Sequence, residues 1–298
     1  MPGPLLTKAL AIAKFQSYRI QLPPQAKVAP GGGLRLVTGS GMPAAGRPAA
    51  GPAEATPAGV RSANSIQMPP ALFLSASNSV SDVDIQKVMH DGYMELFDKL
   101  TEAITYAWNT FRQKAFFVNI KISAVSAVGP PGCLSGPVIE QLIRTAPSVA
   151  GWVGWWAGIR DGVAAGFQNS WQDWQNGVTV PGLPWYPAFA AFPGPMAPPM
   201  PNVPTPLITC VSAGVVSMTP IPLKSNLARK LSGMMDYHEQ FSDSLSMMIA
   251  PAFTAWLPFQ QVTNVLGQGP VPTFAPPYVP VGPVVNGSVV SNPGCLAT

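Results

Sequence analysis

Residues 81–113 read SDVDIQKVMHDGYMELFDKLTEAITYAWNTFRQ, and this stretch organises the chain. Ile85, Met89, Tyr93, Leu96, Leu100, Ile104, Trp108 and Phe111 recur at alternating three- and four-residue steps. That spacing places them on one face of a long helix. Ser81 or Asp82 can cap its start, and Asp82 and Asp84 sit where the helix dipole favours acids. Glu95 and Lys99 are spaced for an ion pair in the favourable order. The helix ends in Trp108-x-x-Phe111-Arg112-Gln113, an ending that returns twice.

The second copy is Trp171-x-x-Trp174-Gln175-Asn176 and the third is Trp256-x-x-Phe259-Gln260-Gln261. Each follows an apolar-periodic run and precedes a Pro/Gly-rich segment. The first and third also share Pro-Gly-Cys-Leu, at Pro131–Leu134 and Pro293–Leu296; in the second, Pro206-Leu207 stands in, with Cys210 nearby. The expected fold class is therefore α+β, with long amphipathic helices, short strands and extended arms, arranged as a diverged triplication. The expected divisions are 1–80, a short helix and a Pro/Gly/Ala-rich arm; 81–136, the first helix–strand unit; 137–223, the second, with a proline-rich segment; and 224–298, the third, with an uncharged arm.

Within this frame, Leu34, Leu36, Val37 and Leu72-Phe73-Leu74 are the arm's few core candidates. Val118, Ile120 and Ile122 alternate with polar residues as a strand does. A helix begins near Pro137 and stops at Pro147, and another runs from Ser148 to about Trp174, with glycines that weaken it. Proline density excludes Pro181–Pro206 from helix interiors and central strands. Leu207–Met218 alternates like a strand. Ser225 can cap a third helix that Pro251 limits. The last segment is expected as an extended arm with short strands at Val281–Val285 and Ser288–Val290. It should lie against another subunit or the second unit.

Composition narrows the function. The 298 residues include 36 prolines and 28 glycines; hydrophobic residues reach 47% while only 10% are charged. Ordinary soluble domains carry about 25% charge, and a disordered chain would be poor in apolar residues. A surface with so little charge implies cover by partners. The net charge is +4, and the basic residues are spread along the chain, so no nucleic-acid footprint forms. Lys8 interrupts the first apolar run, so no secretory leader is expected.

The chain offers little for catalysis. His90 and His238 are each followed by an acid, Asp91 and Glu239, without metal-ligand spacing. Three cysteines, Cys133, Cys210 and Cys295, are too few for a disulfide framework and suit a reducing cytoplasm; whether they pair stays open. Neither a phosphate loop nor a nucleophile elbow is present. No enzyme, cofactor or metal is expected. The aromatics at the helix ends and in the tail are the candidate assembly anchors: Trp108, Phe111, Trp171, Trp174, Trp256, Phe259, Phe274 and Tyr278.

The stretches AWNTFRQ…VGPPGCLSGPVIEQLI and AWLPFQQ…VPVGPVVNGSVVSNPGCLAT resemble virion structural proteins of large tailed bacteriophages and phage-tail-like particles. The resemblance covers the last two thirds of the chain. It implies a tail, baseplate or neck component assembled in the host cytoplasm. The implied partners are other subunits of the same particle, including further copies of this chain. The alternative is a peripheral membrane or pore-associated protein, which the Trp-rich 152–174 stretch suggests.

Overall fold

The structure, a computed structural model, describes residues 8–18, 80–274 and 281–297. The arm expected before residue 80, with its core candidates, falls on residues 19–79 outside the described residues, as does Tyr278. The fold is α+β.

Helix α1 (Lys8–Ser17) precedes the spine of the molecule, α2 (Val80–Lys114). On α2, Tyr93, Leu96, Leu100, Ile104, Trp108 and Phe111 are all buried, which is the face the spacing marks. A ten-residue helix is marginal on its own, so α1 depends on what it touches. Its Phe15 is buried against Tyr93, Phe97 and Phe241 at ring separations of 4.8, 5.5 and 6.4 Å. Beside them Asp243 accepts hydrogen bonds from Tyr18 Oη and from Lys14 Nζ, the latter at 3.3 Å. Burial alone would raise the Asp243 pKa. The bonds from Tyr18 and Lys14 and the Lys224 charge more than reverse this, so the carboxyl sits below its ordinary value.

Helices α3 (Ile139–Arg144) and α4 (Gly154–Gly177) flank the expected break at Pro147. The glycines of α4 have a packing reason. A β-carbon on Gly166 would lie 2.8 Å from Leu227 Cα, and one on Gly162 would lie 3.2 Å from the Lys230 carbonyl oxygen. Both residues let α4 approach the backbone of a later helix, 220–231, more closely than any other side chain would. After α4 comes one short helix, α5 (Pro187–Ala190), inside the proline-rich segment.

The single third helix expected from Ser225 is two helices. The first, α6 (Pro220–Leu231), starts with proline at a position that needs no N–H, and Ser225 lies inside it. Gly233 (φ 78°) and Tyr237 (φ 56°) then turn the chain into α7 (His238–Phe259). Pro251 does not stop α7. It sits on the exposed side, where water can satisfy the carbonyl left without its N–H.

The strands are short: β1 (Phe116–Phe117), β2 (Lys121–Ser123), β3 (Ser126–Gly129), β4 (Leu134–Ser135), β5 (Val180–Pro184), β6 (Met196–Met200), β7 (Thr205–Pro206), β8 (Gln261–Val262), β9 (Leu266–Pro270), β10 (Gly287–Val290) and β11 (Leu296–Ala297). Six of them form an antiparallel sheet in the order β5-β3-β2-β10-β9-β6. All three expected units contribute strands, so the sheet joins them. The proline-bearing β5 and β6 occupy its two edges, where a missing N–H costs no ladder bond.

Two expectations fail here. The C-terminal segment is not simply an arm laid on a neighbour. Its Ser288–Val290 strand is the central β10, paired with β2 through Ser288↔Lys121 and with β9 through Ser288↔Gln268. β10 itself contains no proline, which is what admits it to the middle of the sheet. Val281–Val285 is not a strand; only Gly282 bridges, to Phe192. And Leu207–Met218 forms two 3-10 turns, at Leu207–Thr209 and Ala213–Met218, in place of a strand.

The first and third helix ends lead into matching corners. Phe117 pairs with Leu134, and Val262 pairs with Leu296. Val118 N donates to Cys133 O and Thr263 N to Cys295 O, each at 2.8 Å. Asn119 and Asn264 are both left-handed (φ 57° and 54°), as are Gly132 and Gly294 (φ 79° and 86°). Counting back from the pairs aligns Phe111 with Trp256 and Trp108 with Phe253. The expected equivalence of Trp108 with Trp256 is thus shifted by three residues. The middle corner repeats part of this pattern: Val178 bridges Ser212 and Thr179 N donates to Val211 O at 2.8 Å, while its Pro206 pairs with Gln261 of the third. These registers show a corner pattern present at all three ends and closest between the first and third; they do not extend it to a triplication of whole units.

Candidate assembly surfaces

The three helix ends converge on one aromatic hub. Trp108 lies 5.6 Å from Trp171 and 5.3 Å from Trp256 between ring centres, and Phe111 lies 4.9 Å from Trp171. Trp174 and Phe253 close it at 5.2 Å. The backbone seals the hub in a ring. Gly132 N donates to Val178 O at 3.0 Å, Leu207 N to Gln260 O at 2.7 Å, and Gly294 N to Ala115 O at 2.9 Å. The indole N–H groups of Trp108, Trp171 and Trp256 are buried without an acceptor among the described residues. Trp108 meets Trp171 and Trp256 edge to face, at 78° and 67°. Edge-to-face packing of this kind is favourable for aromatic rings.

Trp108, Phe111, Trp171, Trp174 and Trp256, expected as assembly anchors, are therefore core residues. A partner could reach them only by opening the fold. Phe274 packs half-buried against the same core, and Tyr278 lies outside the described residues. Phe259 alone of the helix-end aromatics faces solvent, 62% exposed.

Phe259 borders an inside-out segment, residues 207–221, LITCVSAGVVSMTPI, which has no charged side chain. Here each Ser and Thr hydroxyl bonds within the chain, with Ser212 buried. Ser212 Oγ donates to Trp174 O at 2.6 Å and accepts from Gly214 N at 3.1 Å. Ser217 Oγ bonds Asp173 Oδ2 at 3.0 Å, and Thr209 and Thr219 hydroxyls bond nearby carbonyls. Gly214 lies so close to Asp173 O that a β-carbon there would be 1.9 Å from it. Leu207 and Met218 anchor the two ends in the core. Ile208, Val211, Val215, Val216 and Ile221 are left pointing outward, with Val211 and Val216 each 60% exposed and Ile221 81%. The sheet's outer row is nearly as poor in charge: it includes Val128, Lys121, Ser288, Gln268, Val290 and Met196, and Lys121 is the only charged residue in the six strands.

The remaining candidate chemistry is quiet. The three cysteines are free and buried. Burial pushes the Cys133 thiol up to about 11, the Cys210 thiol up to about 12 and Cys295 higher still, so all three remain protonated at neutral pH. An open groove of about 460 Å³ runs past Lys224, Ser225, Arg229, His238 and Glu239. Its Lys224 is already held by Glu239 and Asp243 at 3.7 and 3.9 Å. His90 lies in α2, outside the described side chains. Among the described residues no cluster of His, Cys, Asp and Glu could hold a metal ion, and no helix is long and apolar enough to cross a membrane.

Sequence reasoning missed the inside-out segment because Ser, Thr and Val alternate there as in a strand. The signal that could have marked it is the serine before Gly214 in an uncharged run: a capping hydroxyl and a glycine make a turn. Compared with protein families, curated proteins and solved structures, the chain matches none of them.

Proposed function

We propose that this protein is a non-catalytic structural subunit that associates with further copies of itself in a large particle, of the kind its sequence resembles. The observation that carries this reading is the inside-out segment 207–221. Exposed contiguous aliphatic surface is unfavourable in water and marks interaction sites. Here the chain uses its polar side chains on its own carbonyls and on the Asp173 carboxylate, and leaves five aliphatic ones outside. The partner is a second copy for an electrostatic reason. Copies with a net charge of +4 repel one another, and they meet most easily through surfaces that carry no charge. The bacteriophage tail, baseplate or neck assignment rests on the sequence resemblance, and mass spectrometry of purified particles tests it.

Substituting Val211→Asp and Val216→Asp together tests the surface. Both side chains are exposed, so the helical circular dichroism should be unchanged. Sedimentation should show a concentration-dependent oligomer for the native chain and a monomer for the variant. A native chain that stays monomeric at tens of micromolar, or a variant that assembles normally, overturns the reading.

Contact with a membrane surface is the second reading. Trp171 and Trp174 of the Trp-rich stretch are buried, but Trp152, Trp155 and Trp156 are half-buried around Val153. Such a cluster suits a bilayer interface. Flotation of the monomeric double variant with liposomes separates this reading from the first.

A further inference from the structure

Near the amino end of α4 lies a pocket that neither the hub nor segment 207–221 uses. The ion pair that Glu95 and Lys99 are spaced to make does not form. Lys99 Nζ approaches Glu102 at 3.6 Å instead. The Glu95 carboxylate is left without an ion pair or hydrogen bond among the described residues. It borders an opening of about 390 Å³ whose other walls are Gly151, Trp152, Val153 and Trp156. The Trp152 and Trp156 rings are 5.3 Å apart with their planes at 58°, so they make one angled wall. Trp155 packs on Trp156 at 5.4 Å, and its own N–H is fixed to Met234 O at 2.7 Å, which braces that wall from behind.

A carboxylate and two indole rings border one opening, and both kinds of group attract positive charge. We propose that this pocket binds a quaternary ammonium ion of the choline type. The class follows from what the lining offers. Of the lining side chains only Glu95 accepts hydrogen bonds; indoles donate, and glycine and valine do neither. A lysine or arginine head would have to shed hydration on its N–H groups to sit against the rings, and of these side chains only Glu95 could replace it. A quaternary ammonium has no N–H to satisfy and presents methyl groups to the rings and to Val153. The same group occurs as a free solute and as a lipid headgroup, and Val153, 79% exposed at the rim, suits either. The amino end of α4, at Gly154, opposes a cation, so Glu95 has to outweigh it. This inference does not depend on self-association, and the monomeric Val211→Asp/Val216→Asp protein is expected to bind as the native chain does.

The test is a titration of the full-length, ¹⁵N-labelled protein with choline chloride, read on the tryptophan indole N–H signals. The control ligand is 3,3-dimethyl-1-butanol, the uncharged carbon analogue of choline. Saturable shifts of Trp152 and Trp156 are expected in the millimolar range, with the neutral analogue about tenfold weaker or worse. Glu95→Gln, on an exposed side chain, should keep the circular dichroism and weaken choline binding by about tenfold. Equal binding of the neutral analogue, an unaffected Glu95→Gln variant, or no saturation by about 100 mM choline overturns the proposal. Phosphatidylcholine vesicles then separate the sources. Flotation that free choline competes assigns the ammonium to a lipid headgroup, and choline binding without flotation assigns it to a solute.

Discussion

The aromatic hub and segment 207–221 are both uncharged and apolar, yet the chain treats them oppositely. Around the hub, three helix ends, three corner hydrogen bonds and the sheet exclude water from Trp108, Trp171 and Trp256. Along 207–221, the Thr209, Ser212 and Thr219 hydroxyls bond carbonyls of the segment and of its neighbours Pro206 and Trp174, and its aliphatic side chains stay outside. The difference teaches that apolar residues in this chain have two destinations. One set stabilises the monomer. The other is left exposed after folding. Substitutions should therefore separate stability from association.

The largest effect belongs to the hub. Trp108→Ala removes the ring that touches Trp171, Trp256, Phe167 and Phe253. It should lower unfolding free energy by about 3–5 kcal/mol in urea titrations. A loss below about 1 kcal/mol would mean the hub does not hold the helix ends together.

Next comes alkaline pH. The buried thiols have raised pKa values, so the folded state keeps protons that the unfolded chain releases. Their stabilising contribution is complete below about pH 9 and is lost as pH climbs through about 11 for Cys133 and about 12 for Cys210. For Cys133 alone that loss is on the order of 2 kcal/mol. Urea midpoints at pH 8 and pH 11 should show it, and Cys133→Ala should show a smaller drop.

Smaller still are the matching corners. Asn119→Ala and Asn264→Ala each place a β-carbon residue in a left-handed conformation and should cost about 1 kcal/mol, whereas Gly at either site should be nearly neutral. Unequal costs would show that the corners match in shape and not in energetics. The smallest stability effect belongs to Val211→Asp, below about 0.5 kcal/mol, with association weakened all the same.

Much of this was legible from residue spacing. The three-and-four pattern from Ile85 to Phe111 describes α2, whose face from Tyr93 onward is buried as expected. Proline density rightly kept Pro181–Pro206 out of central strands, while its edge strands β5 and β6 were not foreseen. What stayed hidden depended on partners far along the chain. Gly162 and Gly166 read as weak helix until Leu227 and Lys230 are seen against them. The expected strand at Ser288–Val290 is there, but the tail's proline density concealed its place in the middle of the sheet, between β2 and β9. An aromatic at a helix end is the same signal whether it is buried or offered to a partner. Only the surrounding elements decide, and they sent Trp256 inward while leaving Phe259, three residues on, outside.

The central claim is that residues 207–221 contact another copy of this chain. A photo-crosslinking side chain placed at Val216 tests it directly. Irradiation of the assembled protein should give cross-linked dimers, and digestion should map the joined peptide to a second chain, shown by mixing light and heavy isotope-labelled protein. Cross-links that join only peptides of one chain, in protein that is nonetheless oligomeric, would contradict the account.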